Sequence, residues 1–294
     1  MRCGFASLAL AALMALVAVN ARALADAPQR IVSLNLCTDQ LLVDLVDRER
    51  IAAVSFLATD RTLSANASKL RGLKQVRGTA EEVLALKPDL VIAGEYTTGP
   101  TVDLLKRLGV NVLVVPLAAD FAGMKATLRT IAAATGEPAR GEKLIEDFDN
   151  RLSEARSLVP ARPTAIAYQV NSLASGSGTL LDAALEAAGF RNIARDIKLG
   201  PAGRLPLEEL VASPPDLIVL ANAPNDFKTV LADNLRHPAF AQLLNKRPHV
   251  HLPMPLWMCA TPRIADAVEL LAAMKRSSVA MSHSRPVLST RTIP

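Results

Sequence analysis

The chain has 294 residues, half of them hydrophobic and only 3% aromatic, with 33 Lys and Arg against 28 Asp and Glu and a formal charge of +5. Basic residues such as Arg61, Lys69, Arg71, Lys74 and Arg77 are dispersed and not interleaved with rings, which argues against nucleic acid as a partner. Three cysteines are too few to staple a miniature disulfide fold.

The first segment, "MRCGFASLALAALMALVAVNARALA", places Arg2 before an apolar run from Phe5 to Val19, and Ala23 and Ala25 around Leu24. A membrane span needs about 20 apolar residues. This shorter run, followed by Asn20, Arg22 and an Ala-Leu-Ala site, predicts a secretory signal peptide over 1–25, cleaved after Ala25. Cys3 lies too near the start to be a lipid-modified cysteine, so a soluble mature chain is expected. Processing removes Arg2 and Arg22 and no acid, lowering the charge from +5 to +3.

After residue 25, apolar runs bounded by turn residues alternate with helical patterns. Strands are predicted at Ile31–Leu34, Ile51–Ser55, Leu90–Ala93 and Val110–Val115, with helices at Asp39–Val46, Ala80–Leu86 and Val102–Leu108. This alternation specifies an α/β lobe with a covered parallel sheet over 26–137. Gly136 stops the pattern. Pro138 then opens a helical period through Leu144, Ile145, Phe148 and Leu152, predicting one connecting helix over 138–159, about 30 Å long at 1.5 Å per residue. A second lobe over 160–281 repeats the grammar, with strands Thr164–Gln169, Leu217–Ala221 and Val250–Leu252. Its helices are Leu180–Ala188, Leu207–Ala212 and Arg263–Lys275. The aperiodic end, 282–294, reads as a disordered tail.

"EEVLALKPDLVIAGE" from Glu81 and "EELVASPPDLIVLAN" from Glu208 share a helix, a Pro-Asp turn and a buried strand, 127 residues apart. A duplicated half is the simplest origin. Ligands of open α/β sheets sit beyond the carboxyl ends of the strands, and two such edges are expected here.

The segments "RIVSLNLCTDQLL", "EEVLALKPDLVIA", "LLKRLGVNVLVV", "SGSGTLLDAALEAAGFRNIA" and "WMCATPRI" occur in this order across almost the whole mature chain. In them the chain resembles the periplasmic substrate-binding proteins of ABC importers, the rigid-helix group for cobalamin, haem and ferric siderophores. That resemblance implies two Rossmann-like lobes joined by one long helix, with a ligand cleft between them. It implies a monomer that passes a metal chelate to an ABC permease dimer in the inner membrane, with no catalysis and no cofactor.

Site residues follow from strand ends and from the resemblance. Cys37 lies between a strand and a helix start, where a positive helix terminus lowers a thiol pKa. Asn35 or Thr38 suits the N-cap. Cys259 lies in the corresponding loop of the second lobe; two free thiols are favoured over a bridge. Trp257, the only tryptophan, suits packing on a macrocycle, with core packing as the alternative. Tyr96 and Arg77 match cleft-lining positions of siderophore-binding relatives, and Arg77 suits an acidic or hydroxamate ligand. Tyr168, Asn171 and Arg263 are further candidates. The resemblance makes Glu81 and Glu208 the permease-docking pair, with the adjacent Glu82 and Glu209 leaving the assignment open by one residue.

Two other functions compete. A thiol-dependent periplasmic enzyme would use Cys37, but no histidine is near it in sequence. A free zinc-ion receptor would use His249 and His251 at i and i+2 with Cys259, but lacks a histidine in the first lobe. "SGSGT" at Ser175–Thr179 lacks the lysine and spacing of a phosphate loop, so a tight turn with Thr179 capping the next helix is expected.

Overall fold

A computed structural model describes residues 27–97, 99–155, 162–201, 203–222 and 230–283. The predicted signal peptide, the last residues expected in the connecting helix, and 284–294 of the expected tail lie outside these. Contacts divide the chain into two units. One takes the chain up to Asp60, Asn66–Leu117 and Lys125–Leu144; the other takes Arg61–Ala65, Ala118–Met124 and everything from Ile145.

In the first unit the order is β1 (Ile31–Ser33), α1 (Leu36–Leu45), β2 (Ile51–Ser55), α2 (Ala67–Leu70), β3 (Gln75–Val76), α3 (Ala80–Leu84), β4 (Leu90–Gly94), α4 (Gly99–Arg107) and β5 (Val112–Val115). The strands pair in parallel as β3-β2-β1-β4-β5. Because β1 and β4 are central, both their faces are covered, and Ile31, Val32, Val91 and Ile92 are fully buried. Val83 of α3 and Leu105 of α4 pack with Val32, Ala53 and Val91 in one core cluster, while α1 packs on β1, β2 and β4.

Two helices follow, α5 (Phe121–Thr135) and α6 (Pro138–Ala155). The division between the units falls inside α6, between Leu144 and Ile145. The turn between these helices needs glycine: Gly136 has φ 77°, and a Cβ there would lie 2.8 Å from that of Ala27. Arg50, 8% exposed, pins the same turn by donating to Glu137 Oε1 at 2.5 Å, to the Thr135 carbonyl and to the Pro28 carbonyl at 2.9 Å.

The second unit contains β6 (Thr164–Tyr168), β7 (Leu173–Ala174), α7 (Leu180–Ala187), β8 (Arg191–Asn192), α8 (Ile193–Asp196), β9 (Gly203–Arg204), α9 (Leu207–Ala212), β10 (Leu217–Leu220), α10 (Asp233–Arg236), α11 (Pro238–Lys246), β11 (His249–His251) and α12 (Ile264–His283). Its sheet runs β11-β10-β6-β7-β9, with β8 also on β6. β11, β10, β6 and β8 are parallel, whereas β7 and β9 are short antiparallel additions. Neighbours β5-β4-β1 in the first unit correspond to β11-β10-β6 here, as the repeat read from Glu81 and Glu208 requires. One core cluster, with Phe148, Phe190, Val219, Ile264 and Leu271, joins α6 and α12 to one sheet face; Ile166, Tyr168, Leu210 and Phe240 form another. α12 runs two residues into the stretch expected as tail.

Candidate functional site

In the first unit, chemistry collects at the carboxyl edge of the sheet. β1 ends at Ser33, and Asn35 then caps α1, its Oδ1 accepting the Cys37 N–H at 2.9 Å. Asn35 is therefore the cap, and Thr38 lies inside the first turn, donating to the Asn35 carbonyl at 2.9 Å. Gly94 lets this loop lie close to β4, since a Cβ there would be 3.0 Å from the Asn35 side chain. Beneath the loop is a buried polar cluster. Ser33 Oγ and Thr38 Oγ1 are 2.7 Å apart, and Asp39 accepts the Ser55 N–H and hydroxyl at the end of β2. Burial pushes the Asp39 carboxyl up to about 7, against the hydrogen bonds from Ser33 and Ser55.

Above that cluster the edge exposes rings and one cation. Phe56, directly after β2, is 49% exposed although the residues before it are buried. Its N–H donates to the Val76 carbonyl at 3.0 Å, which aligns it beside Arg77 at the end of β3. The Arg77 guanidinium carbon stands 5.8 Å from the Phe56 ring centroid. Tyr96, after β4, is 78% exposed, and Leu117, after β5, is exposed too. The structure thus brings Arg77 and Tyr96 to one strand edge with half-buried Cys37, and adds Phe56, which the sequence reading passed over. The predicted strand Ile51–Ser55 matches β2, so a residue standing directly beyond its carboxyl end, Phe56, was a signal within reach of the sequence.

Beside this edge, Thr79 and Glu82 form a capping box at α3. Glu82 accepts the Arg77 N–H at 2.8 Å and the Thr79 N–H at 3.5 Å. Glu82 is engaged within its own turn, and Glu81 is exposed. In the second unit Glu208 and Glu209 both lie exposed in the first turn of α9.

The second unit's carboxyl edge is held by amides. Asn171 and Ser172, after β6, take left-handed conformations with φ of 59° and 55°. Asn234 of α10 holds them, its Oδ1 accepting the Asn171 N–H at 3.1 Å and its Nδ2 donating to the Gln169 carbonyl at 2.9 Å. Asn171 is half-buried in this strained loop.

Two expected ligand contacts are corrected by their burial. Tyr168 is fully buried, its ring packs on Phe240 at 5.4 Å between centroids, and its hydroxyl donates to Ser172 Oγ and the Leu205 carbonyl. It supports the loop and presents no surface to a ligand. Cys259 is 1% exposed. Cys37 and Cys259 are moreover each disulfide-bonded, so the expectation of two free thiols is overturned, and neither offers a thiolate for catalysis or zinc in this state.

Trp257 is half-buried, with Nε1–H donating to the Leu252 carbonyl at 3.2 Å and the ring against the core. Arg263 is exposed and pairs with Asp266 at 3.5 Å. His249 and His251 are exposed on β11. No group of three or more His, Cys, Asp or Glu able to hold a metal ion occurs among the described residues. Thr179 caps α7, accepting the Asp182 N–H at 3.1 Å, as the reading of "SGSGT" expected. No helix among the described residues is long and apolar enough to cross a membrane.

A cobalamin-binding protein of Halobacterium salinarum is 29% identical over 197 residues, covering 65% of this chain and 53% of that protein. An uncharacterized ABC transporter substrate-binding lipoprotein of Bacillus subtilis, YvrC, is 24% identical over 180 residues, 58% of this chain and 56% of its own. The chain thus spans about half the length of these curated relatives. Among solved structures, the periplasmic heme-binding protein RhuT of Roseiflexus sp. RS-1 matches with a TM-score of 0.70 at 23% identity, over 85% of this chain and 98% of that one. The periplasmic vitamin B12 binding protein BtuF of Vibrio cholerae matches with a TM-score of 0.62 at 20% identity, over 86% and 98%. These likenesses establish the two-unit α/β fold. The Periplasmic binding protein family model matches residues 31–244, and the chain belongs to that family.

Proposed function

We propose that the protein is a periplasmic solute-binding protein that captures a metal chelate of the cobalamin, ferric-siderophore or haem type and delivers it to an inner-membrane ABC permease dimer. The observation that carries this reading is the family match over residues 31–244. Phe56, Arg77 and Tyr96 at the carboxyl edge of a parallel sheet fit it, because they offer stacking area and one cation where ligands of such sheets bind. In this reading Trp257 and Arg263 contribute from the second unit, and Cys37 contributes shape rather than a thiolate.

Export by the 1–25 segment, with cleavage after Ala25, brings the chain to the periplasm as a monomer that binds without catalysis. The lobes are 26–137 and 160–281, with 138–159 as the connecting helix. Glu81 and Glu208 dock on the permease. For Glu81 the choice over Glu82 is supported by the capping box, which leaves Glu81 exposed.

The test is quenching of Trp257, the chain's one tryptophan, together with a thermal shift, on titration with cobalamin, iron protoporphyrin and a panel of ferric siderophores. Saturable quenching by one class supports the reading. No response to any of them overturns it.

A further inference from the structure

Resting on the chelate-binding reading, we propose that Phe56 is a specificity-determining residue, and that the Phe56–Arg77 pair selects a broad, flat chelate bearing a free carboxylate at its rim.

Three observations carry this. First, Phe56 is exposed by its backbone position. It follows directly on the buried strand β2, and its N–H is fixed on the Val76 carbonyl, so its ring stands at the strand edge and not over the core. An aromatic held half-open by a rigid strand is a stacking surface with little conformational entropy to lose on binding. Second, β2 and β4 are separated in the sheet only by β1. At about 4.8 Å per strand spacing, strands β2 and β4, which Phe56 and Tyr96 follow, lie about 10 Å apart. Two exposed rings following strands so spaced, with the Asn35–Cys37 loop of the intervening strand between them, suit a broad ligand and offer a bare ion nothing.

Third, Arg77 lies over the Phe56 ring, and its guanidinium makes no ion pair among the described residues. The carboxylate of Glu82 accepts the backbone N–H of Arg77 and that of Thr79 instead. A guanidinium beside a ring and without a carboxylate partner keeps its donors available for a carboxylate on the ligand. A ligand that covers Phe56 therefore meets Arg77 at its rim, and an acidic rim gains where an amide or ester rim does not.

The experiment measures affinities of wild type, Phe56→Ala, Phe56→Leu, Arg77→Ala and Arg77→Lys for iron protoporphyrin, its dimethyl ester, and cyanocobalamin, whose periphery is amides. Thermal unfolding of each variant confirms folding, which substitution of these exposed side chains should preserve. Wild type is expected to bind iron protoporphyrin at least about tenfold more tightly than the diester. Arg77→Ala should abolish that difference, Arg77→Lys should restore only part of it, and Phe56→Ala should weaken both porphyrins about tenfold, with Leu intermediate.

The proposal is overturned if folded Phe56→Ala binds like wild type, if the diester equals the free acid in wild type, or if cyanocobalamin binds and iron protoporphyrin does not. In each of those cases the chelate-binding reading stands. If no chelate of any class binds, both fall together.

Discussion

The Asp39 carboxylate accepts the Ser55 N–H at 3.1 Å by one oxygen and at 3.2 Å by the other, tying the first turn of α1 to the end of β2 just before Phe56. Both residues are buried, and the relationship has a pH signature. Burial raises the Asp39 pKa from 3.8 to about 7. The folded state therefore holds this proton more tightly than the unfolded chain does. Stabilisation from the proton is full below the ordinary carboxylate value and is lost as pH rises through about 7. Denaturant unfolding at pH 5 and pH 8 should show wild type more stable at the lower value through this group, and Asp39→Asn should flatten the slope. An unchanged slope in the variant would show that Asp39 does not titrate there.

The two neighbouring glutamates of α3 should separate cleanly. Glu82→Ala removes half of a capping box and should cost about 1 kcal/mol of stability. Glu81→Ala, at an exposed position, should change stability by less than about 0.5 kcal/mol while lowering ligand-stimulated ATPase activity of the cognate permease. Loss of permease stimulation with Glu82→Ala but not Glu81→Ala would reverse the docking assignment.

Tyr168 gives a negative control for the ligand edge. Tyr168→Phe removes hydrogen bonds to Ser172 and Leu205 inside the core and should cost about 1 kcal/mol. Chelate affinity should stay within about twofold of wild type, because the ring is fully buried. A tenfold loss of affinity would mean that the strained Asn171–Ser172 loop beneath it contacts the ligand.

Arg50 and the α5–α6 turn form another testable tie. Arg50→Ala leaves the Thr135 carbonyl and the Glu137 carboxylate without their donor, and should destabilise by about 2–4 kcal/mol. Arg50→Lys should recover only part of that, since one ammonium cannot reproduce the guanidinium fork. Equal stability of all three proteins in chemical denaturation would contradict the role.

What could be read from the residues was whatever has a strong period. β2 and α9 match their predicted bounds, and β1, β4, β6 and β10 differ by a residue, because each is an apolar run stopped by turn chemistry. α5 was passed over: "FAGMKATLRTIAAAT" reads as a helix only once its apolar side finds the cores that bury Met124, Leu128 and Ile131. The two-residue strands β3, β7, β8 and β9 exist through their partners and have no period of their own. The exposure of Tyr96 and the burial of Tyr168 are not distinguishable from their positions near a strand end. A tyrosine at a strand end looks the same in sequence whether its ring turns toward Phe240 or toward solvent. The bonded state of Cys37 and of Cys259 was likewise beyond reach, since residue spacing does not encode it.

The central claim is capture of a wrapped metal, and calorimetric titration of the folded mature chain tests it most directly. Run against iron protoporphyrin, cobalamin, ferric siderophores and free Zn²⁺, it should show saturable one-to-one binding of one chelate class with a Kd of about 1 µM or below and no stoichiometric binding of the bare ion. Heat from Zn²⁺ alone, with none from any chelate, would contradict the account.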